Sequence, residues 1–220
     1  MKNSRIFQTS EGKVLIAGVL MLVFLIGFIG YYGLNDITRA KSLLLALVAH
    51  TFGGRAAGVG ICIMNELNLV WTIVYNFYLE VLIVCFTYSA FVLTLNNYIK
   101  IQWIESLTTG LMEKADKNKE LIRKYGWVGV FLFVMFPLPV TGPVVGSAIG
   151  YLLKMKVWHN LTAVFLGTLA AIIVWAFCFD FLEQHIHILQ YVLIGIVSIV
   201  ILSHIRSIKQ WIVETLKSKE

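Results

Sequence analysis

Two charged residues sit inside long apolar runs, where a charge needs a physical reason to be present. Arg55 lies among glycines in AHTFGGRAAGVG (residues 49–60), and Glu80 lies near the middle of residues 69–95. A buried arginine at membrane depth costs at least about 2.5 kcal/mol on insertion scales unless it is paired. It can contact an anion, or it can snorkel to the headgroups. Glu80 can carry a proton or pair with Arg55, or it can be a neutral acid hydrogen-bonded to a neighbouring helix, because burial disfavours the charged form. A third element is PLPVTGP (residues 137–143), which holds all three prolines of the chain. Pro137, Pro139 and Pro143 each remove a backbone donor and clash with the preceding turn, so together they end a helix. Thr141 adds a hydroxyl and Gly142 adds backbone freedom. Arg55, Glu80, Pro137, Pro139, Thr141 and Gly142 are therefore the candidate substrate-binding residues. His50 and Asn76 read more simply as interhelical hydrogen-bonding groups. No nucleophile–base pair, carboxylate dyad or H-x-x-x-H element appears at depth, so neither catalytic residues, nor a metal, nor a cofactor is expected.

The composition says what must position these residues. Of 220 residues, 59% are hydrophobic and 14% charged, and the mean hydropathy is +0.81. Soluble domains carry about 25% charged residues. The apolar residues form long runs separated by short charged stretches, as in a polytopic integral membrane protein. The net charge of +6 comes from cations at the ends of apolar runs and in one connecting segment. That pattern sets topology beside anionic lipid and lacks the basic face that nucleic-acid binding needs. Cys62, Cys85 and Cys178 share no CxxC spacing and read as small buried hydrophobes.

Residues 14–32 are long enough to cross about one hydrocarbon thickness. Lys2, Arg5 and Lys13 precede them, which puts the N-terminus inside. No cleavage site follows, so the run is kept as a transmembrane helix. Residues 42–67 are apolar but broken at Gly53, Gly54 and Arg55, and each side spans only about half a bilayer as helix. A re-entrant hairpin is expected. A transmembrane run follows at 69–95. In residues 96–124, Ile99, Trp103, Leu107 and Leu111 recur every fourth position among charges, as in an amphipathic helix on the cytoplasmic surface. Residues 126–153, broken at PLPVTGP, are expected to form a second re-entrant hairpin. Transmembrane runs at 157–181 and 186–204 complete the chain, and a basic tail puts the C-terminus inside. Asn160 begins an Asn-Leu-Thr sequon at the inner edge of a span, where no glycan is expected.

This path makes 42–95 and 126–181 two hairpin-plus-helix units that enter from opposite faces. Arg39 and Lys41 fall on the external side and count against it, but only one parity satisfies the other connections. The expected fold is all-α: about four transmembrane helices, two oppositely oriented re-entrant hairpins in an inverted repeat, and one amphipathic surface helix. Secondary transporters place a midplane site between such unwound tips.

Pro137, Leu138, Pro139, Thr141 and Gly142 match the P-L-P-x-T-G element of the small multidrug export protein family, which the chain resembles over about thirty residues. RKYGWVGVFLFVMF (residues 123–136) resembles that family's approach to the motif. The family is similar to the wider DedA group of proton-dependent membrane transporters, which includes carriers of polyprenyl-phosphate lipids. Its acid-x-Arg-Gly-Ala-x-Pro element is matched by Arg55 and Gly58 without the acid or the proline. The arginine that many DedA proteins place after an F-x-P element is absent. The resemblance implies a DedA-like transporter of the cytoplasmic membrane, moving a drug-like molecule or lipid phosphate with coupling to protons. Membrane lipids and the substrate are the expected partners, and a homo-oligomer is compatible with the sequence. The alternative is a scaffold or insertion factor without its own substrate, in which Arg55 and Glu80 are dispensable.

Overall fold

A computed structural model describes residues 9–96, 126–136 and 142–185, the side chain of Glu183 excepted. Among these residues all regular structure is helical: α1 (Ser10–Asn35), α2 (Ile37–Met64), α3 (Leu69–Leu95), α4 (Gly126–Met135), α5 (Gly142–Leu152) and α6 (Val157–Gln184). The chain divides into two compact units, Met1–Phe179 and Asp180–Glu220, and the packing and the site lie in the first. Helices α1, α3 and α6 are long and apolar enough to cross a membrane, and so is α2 by its total length and composition. Large apolar side chains such as Leu20, Val23, Phe24 and Ile26 face outward from α1, which is stable only in lipid. The protein is an integral membrane protein.

Local signals start α1, α2 and α3. The Thr9 hydroxyl accepts from Gly12 N–H, the Asp36 carboxylate accepts from Arg39 N–H, and the Asn68 amide oxygen accepts from Val70 N–H. These caps satisfy amides that the first turn leaves free. Because Asp36 both ends α1 and caps α2, Arg39 and Lys41 belong to the first turns of α2, where the sequence reading had a link. Helix α1 runs antiparallel to α3: Glu11 C=O accepts from Ser89 Oγ, Met21 C=O accepts from Tyr78 OH, and Gly18 packs on Cys85.

Helix α2 is two arms. Gly54 has φ 76° and ψ −176°, a conformation that essentially only glycine adopts. The chain turns back there. Ser42 Oγ donates to Asn65 Oδ1 at 3.0 Å across 23 residues of sequence, which a straight helix would hold about 35 Å apart. A Cβ on Gly58 would come within 2.7 Å of His50 Cβ and would also meet Asn76. The arms, residues 37–53 and 55–64, are about 25 Å and 15 Å long, so neither alone crosses a hydrocarbon core of about 30 Å. Gly54→Ala should therefore strain the turn by about 1–3 kcal/mol. A thermal melt in detergent micelles should show a midpoint lowered by several degrees, and an unchanged midpoint would mean that the turn does not need glycine.

Helices α4 and α5 form a second reversal. Gly142 lies against the Val134 carbonyl, and Gly146 leaves room for Val134 and Val130, so the two helices run antiparallel. The connections that follow the two hairpins are alike. After α2, Glu66 N–H bonds Ile63 C=O and Leu67 N–H bonds Cys62 C=O, with Glu66 at φ 58°. After α5, Lys154 N–H bonds Tyr151 C=O and Met155 N–H bonds Gly150 C=O, with Lys154 at φ 58°. Both are Schellman closures. Gly54 and Gly58 in one unit occupy the same relative positions as Gly142 and Gly146 in the other.

The units point in opposite directions. The second arm of α2 runs antiparallel to α3, since Arg55 lies at the level of Glu80 while Cys62 meets Asn76. Helix α5 runs parallel to α3, since Pro143 lies at the level of Glu80 and Ile83 while Tyr151 stacks edge-on against Tyr88 and Phe91. A core of Val84, Tyr88, Val130, Val145, Ile149 and Leu161 packs α3, α4, α5 and α6 together. The expected amphipathic helix at 96–124 and the expected span at 186–204 fall on segments 97–125 and 186–220, outside the described residues.

Candidate functional site

The two hairpins approach each other where Arg55 meets Phe136 and Gly142. Arg55 begins the second arm of α2, is only 4% exposed, and sends Nη2 across to the Phe136 carbonyl at 3.0 Å. That carbonyl follows the last turn of α4. The same nitrogen lies 3.3 Å from where a Gly142 Cβ would stand, so glycine there admits the guanidinium. Arg55 therefore does not snorkel. It ties the second arm of α2 to the end of α4, and its Nη1 has no hydrogen-bond partner among the described residues. Pro143 occupies the first turn of α5, where its missing N–H costs nothing.

Glu80 is buried on α3 and meets His50, on the first arm of α2, with Oε2 3.0 Å from Nε2. Asn76, one turn earlier on α3, holds the other side of the ring, its Oδ1 2.8 Å from His50 Nδ1. The Asn76 Nδ2 donates to the Thr72 carbonyl at 2.9 Å, which fixes the amide with its oxygen towards the ring. His50 Nδ1 accordingly carries a hydrogen, and one proton is shared between Nε2 and the Glu80 carboxyl, whichever group holds it. Arg55 and Glu80 face the same cavity without forming a direct ion pair among the described residues; Glu80's direct partner is His50.

A cavity of about 40 Å³ lies between these groups, bounded by His50, Gly54, Arg55, Glu80, Ile83 and Pro143. It has room for a few water molecules or one small group. Two helix N-termini, of the second α2 arm and of α5, converge on it with their free N–H groups. Such ends carry about half a positive charge each and favour anions.

Residues 55–174 match a protein-family model described as "putative small multi-drug export protein". That span is more than half of the chain. The chain belongs to the small multi-drug export protein family. No curated protein and no solved structure matches it. The region matched to the small multi-drug export family starts at Arg55 and contains Glu80, Gly142 and Pro143, so most of the central cluster lies inside it. His50 lies just outside.

Of the sequence-derived site residues, the structure brings Arg55, Glu80 and Gly142 to one place; Pro137, Pro139 and Thr141 lie in 137–141, outside the described residues. His50 and Asn76 make the interhelical hydrogen bonds that the sequence reading expects of them, and the structure adds that both belong to one cluster with Glu80. The available signal was spacing: Asn76 and Glu80 are four apart and so share one face of α3, while His50 stands one turn before the glycine pair. Asn160 is fully buried and donates to the Ser147 carbonyl at 2.7 Å, with Gly150 leaving it room. A glycan has no place on that side chain.

Proposed function

We propose that the chain is an inverted-repeat transporter of the cytoplasmic membrane, with both termini inside, that moves a small amphipathic anion together with a proton. In this reading the two hairpins are re-entrant and enter from opposite leaflets, so their turns meet near the midplane. The observation that carries it is Arg55, buried between two helix N-termini and beside the hydrogen-bonded His50–Glu80 pair. An organic phosphate, a lipid phosphate or an anionic drug-like molecule has the matching charge. The family name speaks of drug export, and the charge of this centre favours anions among such compounds. Loss of the shared proton would leave Glu80 negative beside Arg55 and cancel the attraction for the anion. The anion therefore binds the protonated form and travels with the proton.

The test is flux in liposomes holding the purified protein, with a fluorescent short-chain alkyl phosphate as substrate. Imposing an inward proton gradient should raise the initial uptake rate at least tenfold over the rate at equal pH. Collapsing the gradient with a protonophore should remove that gain. Uptake that is saturable but indifferent to the gradient would remove the coupling, and no flux of any anion tested would remove the transporter reading.

A further inference from the structure

A larger cavity than the one at the charged centre lies elsewhere in the fold. It is a cleft of about 510 Å³ between α1, the first arm of α2 and α3, at the end of the bundle where α1 joins α2 and α2 joins α3. Drug-sized ligands occupy cavities of about this size. Its walls are aromatic: Phe24, Phe28, Tyr32, Trp71, Tyr75 and Tyr78. The hydroxyls of Tyr75 and Tyr78 are already spent on the Leu43 and Met21 carbonyls, so these two residues offer the cleft ring surface and no hydrogen bond. At the polar end stand Asp36, Glu66 and Arg39, two acids against one base. Arg39 lies over the Tyr32 ring, 5.5 Å from its centre, so the wall already holds one cation on an aromatic face.

We propose that this cleft binds a lipophilic cation, with its charge between Asp36 and Glu66 and its apolar body against the aromatic wall. Three features select that occupant. Aromatic faces attract cations, most strongly where water is excluded. The charged rim has a net excess of one acid, the opposite sign to the Arg55 centre. One end of the cleft is polar and the other apolar, which suits an amphiphile more than a uniformly apolar chain. The chain then carries two sites of opposite preference, and this one does not depend on Arg55, His50 or Glu80.

The experiment uses the full-length protein in non-ionic detergent, titrated with tetraphenylphosphonium and followed by calorimetry and by tryptophan quenching. Trp71, more than half exposed in the cleft, should report the probe, so Trp71→Phe should remove part of the quench. Asp36→Asn with Glu66→Gln should weaken binding at least tenfold. Asparagine caps a helix as well as aspartate does, so the double variant should melt within a few degrees of the parent. If it does not fold, Glu66→Gln alone, on an exposed side chain, should still weaken binding at least threefold. Tetraphenylborate, the same shape with the opposite charge, should bind at least tenfold more weakly than the cation. Equal affinity of the parent and the carboxylate variants for tetraphenylphosphonium would overturn the proposal. So would equal binding of the two probes, which would make the cleft a seat for any apolar body, such as a lipid chain.

Discussion

Arg55→Ala should lower the initial rate of organic-phosphate uptake at least a hundredfold in liposomes, with protein insertion and yield unchanged. A hundredfold corresponds to about 2.7 kcal/mol, within the range lost when a charge-assisted contact in a dry site is removed. The two helix N-termini stay in place in the variant, so weak anion binding should persist at high substrate concentration. Stability should move little. The substitution strands the Phe136 carbonyl that Arg55 Nη2 now satisfies, but it also removes the cost of burying a guanidinium. The two effects oppose each other, and the melting midpoint should shift by no more than a few degrees. Arg55→Lys should recover only a minor part of the rate, because an ammonium keeps the charge but cannot both hold the carbonyl and offer a second planar donor. Parent-like uptake by Arg55→Ala would exclude an anion-binding role for the arginine.

Much of this architecture is legible in the residues themselves, for a physical reason. In lipid, a backbone polar group has no water to fall back on, so a glycine pair at 53–54 or the three prolines at 137, 139 and 143 can interrupt an apolar run only where the chain turns or packs on protein. The reversal at Gly54 and the antiparallel packing of α4 on α5 follow from that constraint. Apolar length likewise marks α1, α3 and α6, and α3 begins and ends at Leu69 and Leu95, the limits of the apolar run. The residues joining the helices were harder. Asp36 compresses the α1–α2 connection to a single residue, and no composition rule distinguishes a capping aspartate from a loop aspartate. The site was legible as individual charges and not as a network. Arg55 and Glu80 stand out because lipid penalises them, whereas His50 and Asn76 are polar groups that a helix interface accommodates at low cost. Only the three-dimensional register of the first α2 arm on α3 shows that His50 has Asn76 on one nitrogen and Glu80 on the other. The Arg55–Glu80 pairing suggested by two opposite charges in one membrane is replaced by His50–Glu80 for the same reason.

Glu80→Gln should separate binding from coupling. Glutamine keeps the size of the side chain and can still hydrogen-bond His50 Nε2, but it cannot exchange a proton. Arg55 then remains uncompensated at every pH, and the anion site stays in its binding form. Anion exchange down no proton gradient, measured as counterflow, should therefore survive within about threefold of the parent. Gradient-driven accumulation should fall by about a hundredfold, to the level of leak. Glu80→Ala is a different experiment. It leaves His50 Nε2 buried without a partner, a cost of about 1–3 kcal/mol, so its loss of activity would mix coupling with stability. A double-mutant cycle on the melting midpoint with His50→Ala should show that the two alanine costs do not add. Accumulation that persists in Glu80→Gln would move the proton to another group and leave the buried carboxyl a structural partner of His50.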